Sequence, residues 1–131
     1  MSKKIMVLLV MPRLSRAELL EQLEACGADV LAASDCAEAR RLLRTRSPLH
    51  VVIVDKQLPD GTWFAVLDEV RQNGLNTDVV VCIKRVDGGW TDLLERGAYD
   101  ILIEPYAKEG LQRVVESAAA RRETRLYRVA G

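Results

Sequence analysis

Five short apolar runs, separated by stretches of helical spacing, limit this chain to very few architectures. Ile5–Val10 contains no polar residue, the pattern of a strand covered on both faces. Val30–Ala33, Val51–Val54, Val79–Ile83 and Ile101–Ile103 repeat the pattern in shorter form. Between the first two runs, Leu19, Leu20, Leu23 and Cys26 follow helical spacing from Leu14 to Cys26. Glu18, Glu21 and Glu24 face outward there, and Gly27 supplies a left-handed stop. Asp35-Cys36-Ala37-Glu38 has the capping-box form and opens a helix through Leu43, with Ala39, Leu42 and Leu43 inward. A third helix is expected from Trp63 to Gln72, with Phe64, Leu67 and Val70 inward and Asn73-Gly74 ending it. After an Asp87-Gly88-Gly89 turn, a short helix around Asp92–Arg96 stops at Gly97. From Lys108 a final helix buries Leu111, Val114, Val115 and Ala118. Strands alternating with helices imply right-handed crossovers and a parallel sheet between two helical layers, a three-layer α/β/α sandwich. Ligands of such sheets sit beyond the carboxyl ends of the strands, which directs attention to Leu9, Val10, Asp55, Ile83 and Glu104.

At 131 residues the chain is long enough for one domain with a sizeable core. Its 19 basic and 19 acidic residues cancel, so no global field favours nucleic acid or a membrane surface. The longest apolar stretch, Ile5 to Pro12, is too short to span a bilayer. Lys3-Lys4 ahead of it resembles a signal peptide only faintly, because the following helix is charged throughout and no small-residue cleavage site follows. The expected location is the cytoplasm. Cys26, Cys36 and Cys82 contain no Cys-x-x-Cys pair and are expected to be reduced thiols in semi-buried positions. His50 is the only histidine, which argues against a histidine-based metal site or dyad.

Asp55 closes the third apolar run and leads into Lys56-Gln57-Leu58-Pro59-Asp60-Gly61. Together with the first strand running into Pro12, with Gly97-Ala98-Tyr99-Asp100 and with Glu104-Pro105-Tyr106, this segment resembles the receiver domains of response regulators, the chemotaxis-regulator-like family. The resemblance covers roughly residues 4 to 120. It implies a sheet order of 2-1-3-4-5 and a cis proline at Glu104-Pro105. It also makes Asp55 the phosphoacceptor position of a two-component phosphorelay. Residues 121–131 then form a basic helical extension or tail.

The resemblance fails where the chemistry lies. The family's pair of metal-holding acids falls on Leu9 and Val10, its hydroxyl on Ile83, its lysine on Glu104 and its coupling aromatic on Ile101. Mg²⁺ needs oxygen ligands near octahedral geometry. Asp55 with a backbone carbonyl (Gln57, by resemblance) would leave the ion mostly to water, so Mg²⁺ binding is expected to be weak or absent. Phosphoryl transfer depends on positioning and on neutralising the moving oxygens, and a glutamate in the lysine position reverses that effect. The expectation is a divergent receiver, or pseudo-receiver, without enzyme activity, acting by protein–protein contact.

Several residues keep two readings. Asp55 is either a residual phosphoacceptor or a polar residue retained at a strand end. Lys84 either bridges Asp55 and Glu104 or, like Lys56, points into water. Leu9, Val10 and Ile83 either line a pocket for a small ligand or pack on one another. Trp63 is expected near the mouth of the site, and with Trp90 is a candidate for partner contact. By resemblance the partners are a histidine kinase or an effector domain. A homodimer would use the face of the fourth helix, fifth strand and fifth helix. Arg121, Arg122, Arg125 and Arg128 lie on an extended helix, a nucleic-acid contact or a fraying tail, and no recognised reading motif accompanies them.

Overall fold

A computed structural model describes residues 5–45, 49–73, 76–84 and 90–130, leaving out the side chains of residues 45, 90 and 121–130. Its elements are β1 (Met6–Val10), α1 (Arg13–Ala25), β2 (Asp29–Ala33), α2 (Cys36–Thr45), β3 (Val51–Asp55), β4 (Gln57–Leu58), β5 (Gly61–Thr62), α3 (Trp63–Gln72), β6 (Asp78–Lys84), α4 (Trp90–Glu95), β7 (Asp100–Glu104) and α5 (Lys108–Ala130). The main sheet has the order β2-β1-β3-β6-β7, with every pairing parallel. This is the expected 2-1-3-4-5 order. The short hairpin β4–β5 was not expected. It forms where Leu58-Pro59-Asp60-Gly61 turns the chain back on itself.

Alternation along the strands divides the core in two. Val7, Leu9, Val51, Ile53, Val80 and Cys82 face α1 and α5. Leu8, Val10, Val52, Val54, Val79, Val81 and Ile83 face the α2–α3–α4 layer. An aliphatic residue at every position is therefore what a doubly covered strand requires. Each such side chain, once buried, stabilises the fold by about 1.5–3 kcal/mol.

The helix ends follow their local chemistry. Gly27 stops α1 at φ 90°, and the Ala28 amide donates back to the Leu23 carbonyl at 3.2 Å. At α2 the Glu38 amide donates to Asp35 at 2.8 Å, while the Glu38 carboxylate reaches back to the Ser34 amide at 3.1 Å. Gly97 adopts φ 119°, and a Cβ there would meet Arg71 and Leu67. His50 is a core histidine, with Nδ1 accepting from the Met6 amide at 2.8 Å.

Two expectations need correction. Phe64 is not an inward residue of α3: it is 38% exposed and stands beneath the Arg96 guanidinium, 5.3 Å from its ring centre. The inward set is Trp63, Val66, Leu67 and Val70, a helical face whose phase is set by the tryptophan. Cys36 and Cys82 are fully buried, and only Cys26 is half-buried. The Asp87-Gly88-Gly89 turn, Gly74 and the side chains of Trp90, Arg121, Arg122, Arg125 and Arg128 lie outside what is described. Among the described residues no helix is long and apolar enough to cross a membrane.

Candidate functional site

Asp55 is the last residue of β3, and its neighbour across the ladder on β6 is Cys82. Two residues further along β6, Lys84 lies level with Glu104, the last residue of β7. These strand ends form the floor of a cavity of about 840 Å³. Its walls come from Leu14, Ser15, Ala17 and Glu18 of α1, from Lys56 and Gln57, and from Tyr106 beyond the cis Glu104–Pro105 bond. The site thus lies at the carboxyl edge of the sheet, where open parallel sheets present their ligand sites.

The cavity is lined by three acids, Asp55, Glu104 and Glu18, and two lysines, Lys56 and Lys84. Asp55 is half-buried, and its carboxyl is pushed up to about 6. Burial is the largest cause, followed by the Glu104 carboxylate; Lys84 pulls in the opposite direction and only partly offsets them. Cys82, beneath Asp55, and Tyr106 are hydrogen-bond partners of one another, and burial raises the proton affinity of both. Their hydroxyl and thiol therefore stay neutral at physiological pH. They can donate hydrogen bonds but do not ligate a cation as anions.

The structure brings Asp55, Ile83, Lys84 and Glu104 together, and separates the rest. Leu9 and Val10 are fully buried and do not line the cavity. They pair with Ile53 and Val54, so they stop two and one residues short of Asp55. Continuing that register by one residue makes Met11 level with Asp55, with Pro12 next. Neither carries a carboxylate, so no acid from this strand reaches the site. Trp63 is not at the cavity mouth. Only 3% of it is exposed, and it packs in the core of the α2–α3 layer with Cys36, Leu58 and Val66. Ile101 is half-buried against the same core and away from the cavity. Among the described residues no three His, Cys, Asp or Glu side chains gather as metal ligands would.

The loop leaving Asp55 is fastened at several points. The Lys56 amide donates to the Cys82 carbonyl at 3.1 Å, and the Trp63 amide closes the hairpin onto the Lys56 carbonyl at 3.1 Å. At its tip, Asp60 accepts from the Cys36 and Ala37 amides at 2.8 and 3.1 Å. A second acid thus caps the first turn of α2, and these bonds hold the Asp60 carboxyl below its ordinary range. The residues of the cavity that sequence reading passed over are Ser15, Glu18, Cys82 and Tyr106. Strand alternation offered a signal only for Cys82.

The fold is similar to that of solved signalling domains. A signal receiver domain from Vibrio parahaemolyticus, assigned to a Luxo repressor protein, superposes with a TM-score of 0.83 at 26% identity, over 98% of this chain and 99% of that one. The fold is that of a response-regulator receiver domain. The receiver domain of the Francisella response regulator 1452 matches with a TM-score of 0.77 at 24% identity, over 91% of this chain and 99% of that one. The receiver domain of the sensor histidine kinase PA1611 from Pseudomonas aeruginosa, solved with magnesium in its active-site cleft, shares the fold at 22% identity. It covers 90% of this chain and 99% of that one, with a TM-score of 0.77. In sequence, the receiver domain is 27% identical over 100 residues to a Priestia megaterium protein described as the C4-dicarboxylate response regulator DctR. That match takes in 76% of this chain and 43% of the relative, so the chain spans less than half the length of the curated relative it matches. No family model matches the chain.

Proposed function

We propose that this receiver domain works in cytoplasmic two-component signalling by protein–protein contact, without phosphoryl transfer at Asp55. The observation that carries this reading is the placement of Asp55 and Glu104 in one cavity, where burial first and the Glu104 carboxylate second push the Asp55 carboxyl up to about 6. An incoming phosphate would meet a second carboxylate, Glu104, whose repulsion Lys84 only partly offsets. Ile83 supplies no hydroxyl, and Met11 and Pro12 supply no oxygen ligand for Mg²⁺ from their side chains. Mg²⁺ binds weakly or not at all, and no catalysis takes place.

The partner is a histidine kinase or an effector domain, and a second copy is a further candidate. The face of α4, β7 and α5 suits such a contact, because Leu94 and Tyr99 are 47% and 38% exposed on it. Residues 121–130 of α5 would extend that face or lead towards an effector. A second reading, a small ligand in the cavity beside Asp55, is favoured by the cavity's size of about 840 Å³.

The test is incubation with a small phosphodonor and Mg²⁺, read by intact mass. No adduct is expected. A durable single phosphoryl adduct that disappears in Asp55→Asn would overturn the proposal.

A further inference from the structure

The charges that line the Asp55 cavity come from separate elements and stand apart. Its carboxylates belong to Asp55 at the end of β3, Glu104 at the end of β7 and Glu18 of α1. Strand β6, which ends at Lys84, runs between β3 and β7. Asp55 and Glu104 are therefore two strand spacings from each other, roughly 10 Å across the sheet. Glu18 accepts from Gln22 Nε2 at 3.4 Å. Among the described residues no three such side chains converge as the ligands of one ion would. The enclosed space of about 840 Å³ has the size of an organic-ligand site.

This lining restricts the ligand. A simple anion would meet three carboxylates, and a simple cation would meet Lys56 and Lys84. Carboxylates exceed ammonium groups by one, so the best match carries two separated positive groups and one negative group. Leu14 and Ile83 add apolar wall against which a short methylene chain can lie. Lys84 already offsets part of the Asp55 charge. Lys56 is half-buried, and its backbone is bonded on both sides, to the Cys82 carbonyl and the Trp63 amide. We propose that the cavity binds a free amino acid with a cationic side chain. Its two positive groups are shared among Asp55, Glu104 and Glu18, and its carboxylate is received by Lys56. This inference rests on the small-ligand reading of the cavity and names the ligand's class.

The test is titration of L-arginine and L-lysine into the isotope-labelled full chain, followed at the amides of Asp55, Lys56 and Gln57. Saturable shifts are expected for at least one of them, with a Kd below about 1 mM in dilute buffer. The next arms use agmatine, which lacks the carboxylate, and N-acetyl-L-arginine, which lacks the free α-ammonium. Each should bind at least about tenfold more weakly than L-arginine, the loss expected for one charged hydrogen bond. Lys56→Ala should erase the preference for L-arginine over agmatine, and Glu104→Gln should weaken both at least about tenfold. Circular dichroism checks that the two variants remain folded. No saturable shift with either amino acid overturns the inference, as does agmatine binding as tightly as L-arginine. A preference that survives Lys56→Ala overturns it equally. If L-glutamate or spermidine moves these amides while L-arginine and L-lysine do not, the small-ligand reading stands and this inference falls. If none of these compounds moves them, both fall.

Discussion

Asp55→Asn should make the domain more stable at neutral pH. Ionised Asp55 is taken partly out of water and set near Glu104, so the fold prefers its protonated form. The rise from an ordinary 3.8 to about 6 corresponds to about 3 kcal/mol of differential interaction. The side chain keeps partial contact with water, and screening reduces the realised penalty to about 1–2 kcal/mol. The native state thus holds this proton more tightly than the unfolded chain. The associated stability is complete below 3.8 and is lost as the pH rises through about 6. Asparagine keeps the shape without the charge and abolishes that loss. Urea unfolding of both proteins should show the variant ahead by about 1–2 kcal/mol above neutrality, with the gap closing in acid. A variant equally or less stable above neutrality would contradict an ionisation penalty at Asp55. Favourable partners would then be holding its carboxylate in the folded state.

Glu104→Lys replaces the carboxylate that faces Asp55, and the Asp55 titration followed by carboxyl carbon shifts should move from about 6 towards 3.8; an unmoved midpoint would remove Glu104 as a cause. Asp60→Ala strips two bonds from the first turn of α2 and should cost about 1 kcal/mol in thermal unfolding. Amide exchange at Cys36 and Ala37 should accelerate in the same variant, and unchanged exchange would show that these amides do not depend on the cap.

The fold was open to reading because each sheet strand has its own apolar run and each turn its own breaker. Among the described residues, Gly27 and Gly97 are the glycines at positive φ, and both were placed as helix stops. The site was less open. The resemblance placed the family's acid pair on Leu9 and Val10, and the ladder of β1 on β3 pairs these with Ile53 and Val54, short of Asp55. Register between strands distant in sequence is a tertiary property, and a one-residue error moves a side chain to the opposite face. Trp63 was misplaced for a related reason. Its position in the chain suggested the cavity mouth, but the helical phase of α3 turns the indole into the core and leaves Phe64 outside. The cavity wall contributed by α1, with Leu14 98% exposed, depends on how a helix crosses the sheet. No local pattern encodes that crossing.

Whether the strand ends around Asp55 can hold a divalent ion is best asked by titrating Mg²⁺ into isotope-labelled protein and following the amides of Asp55, Lys56 and Gln57. Glu104 beside a half-buried Asp55, with Met11 and Pro12 following the neighbouring strand β1, predicts no saturable shift at millimolar Mg²⁺. Saturation at micromolar Mg²⁺, confined to those amides and lost in Asp55→Asn, would contradict it.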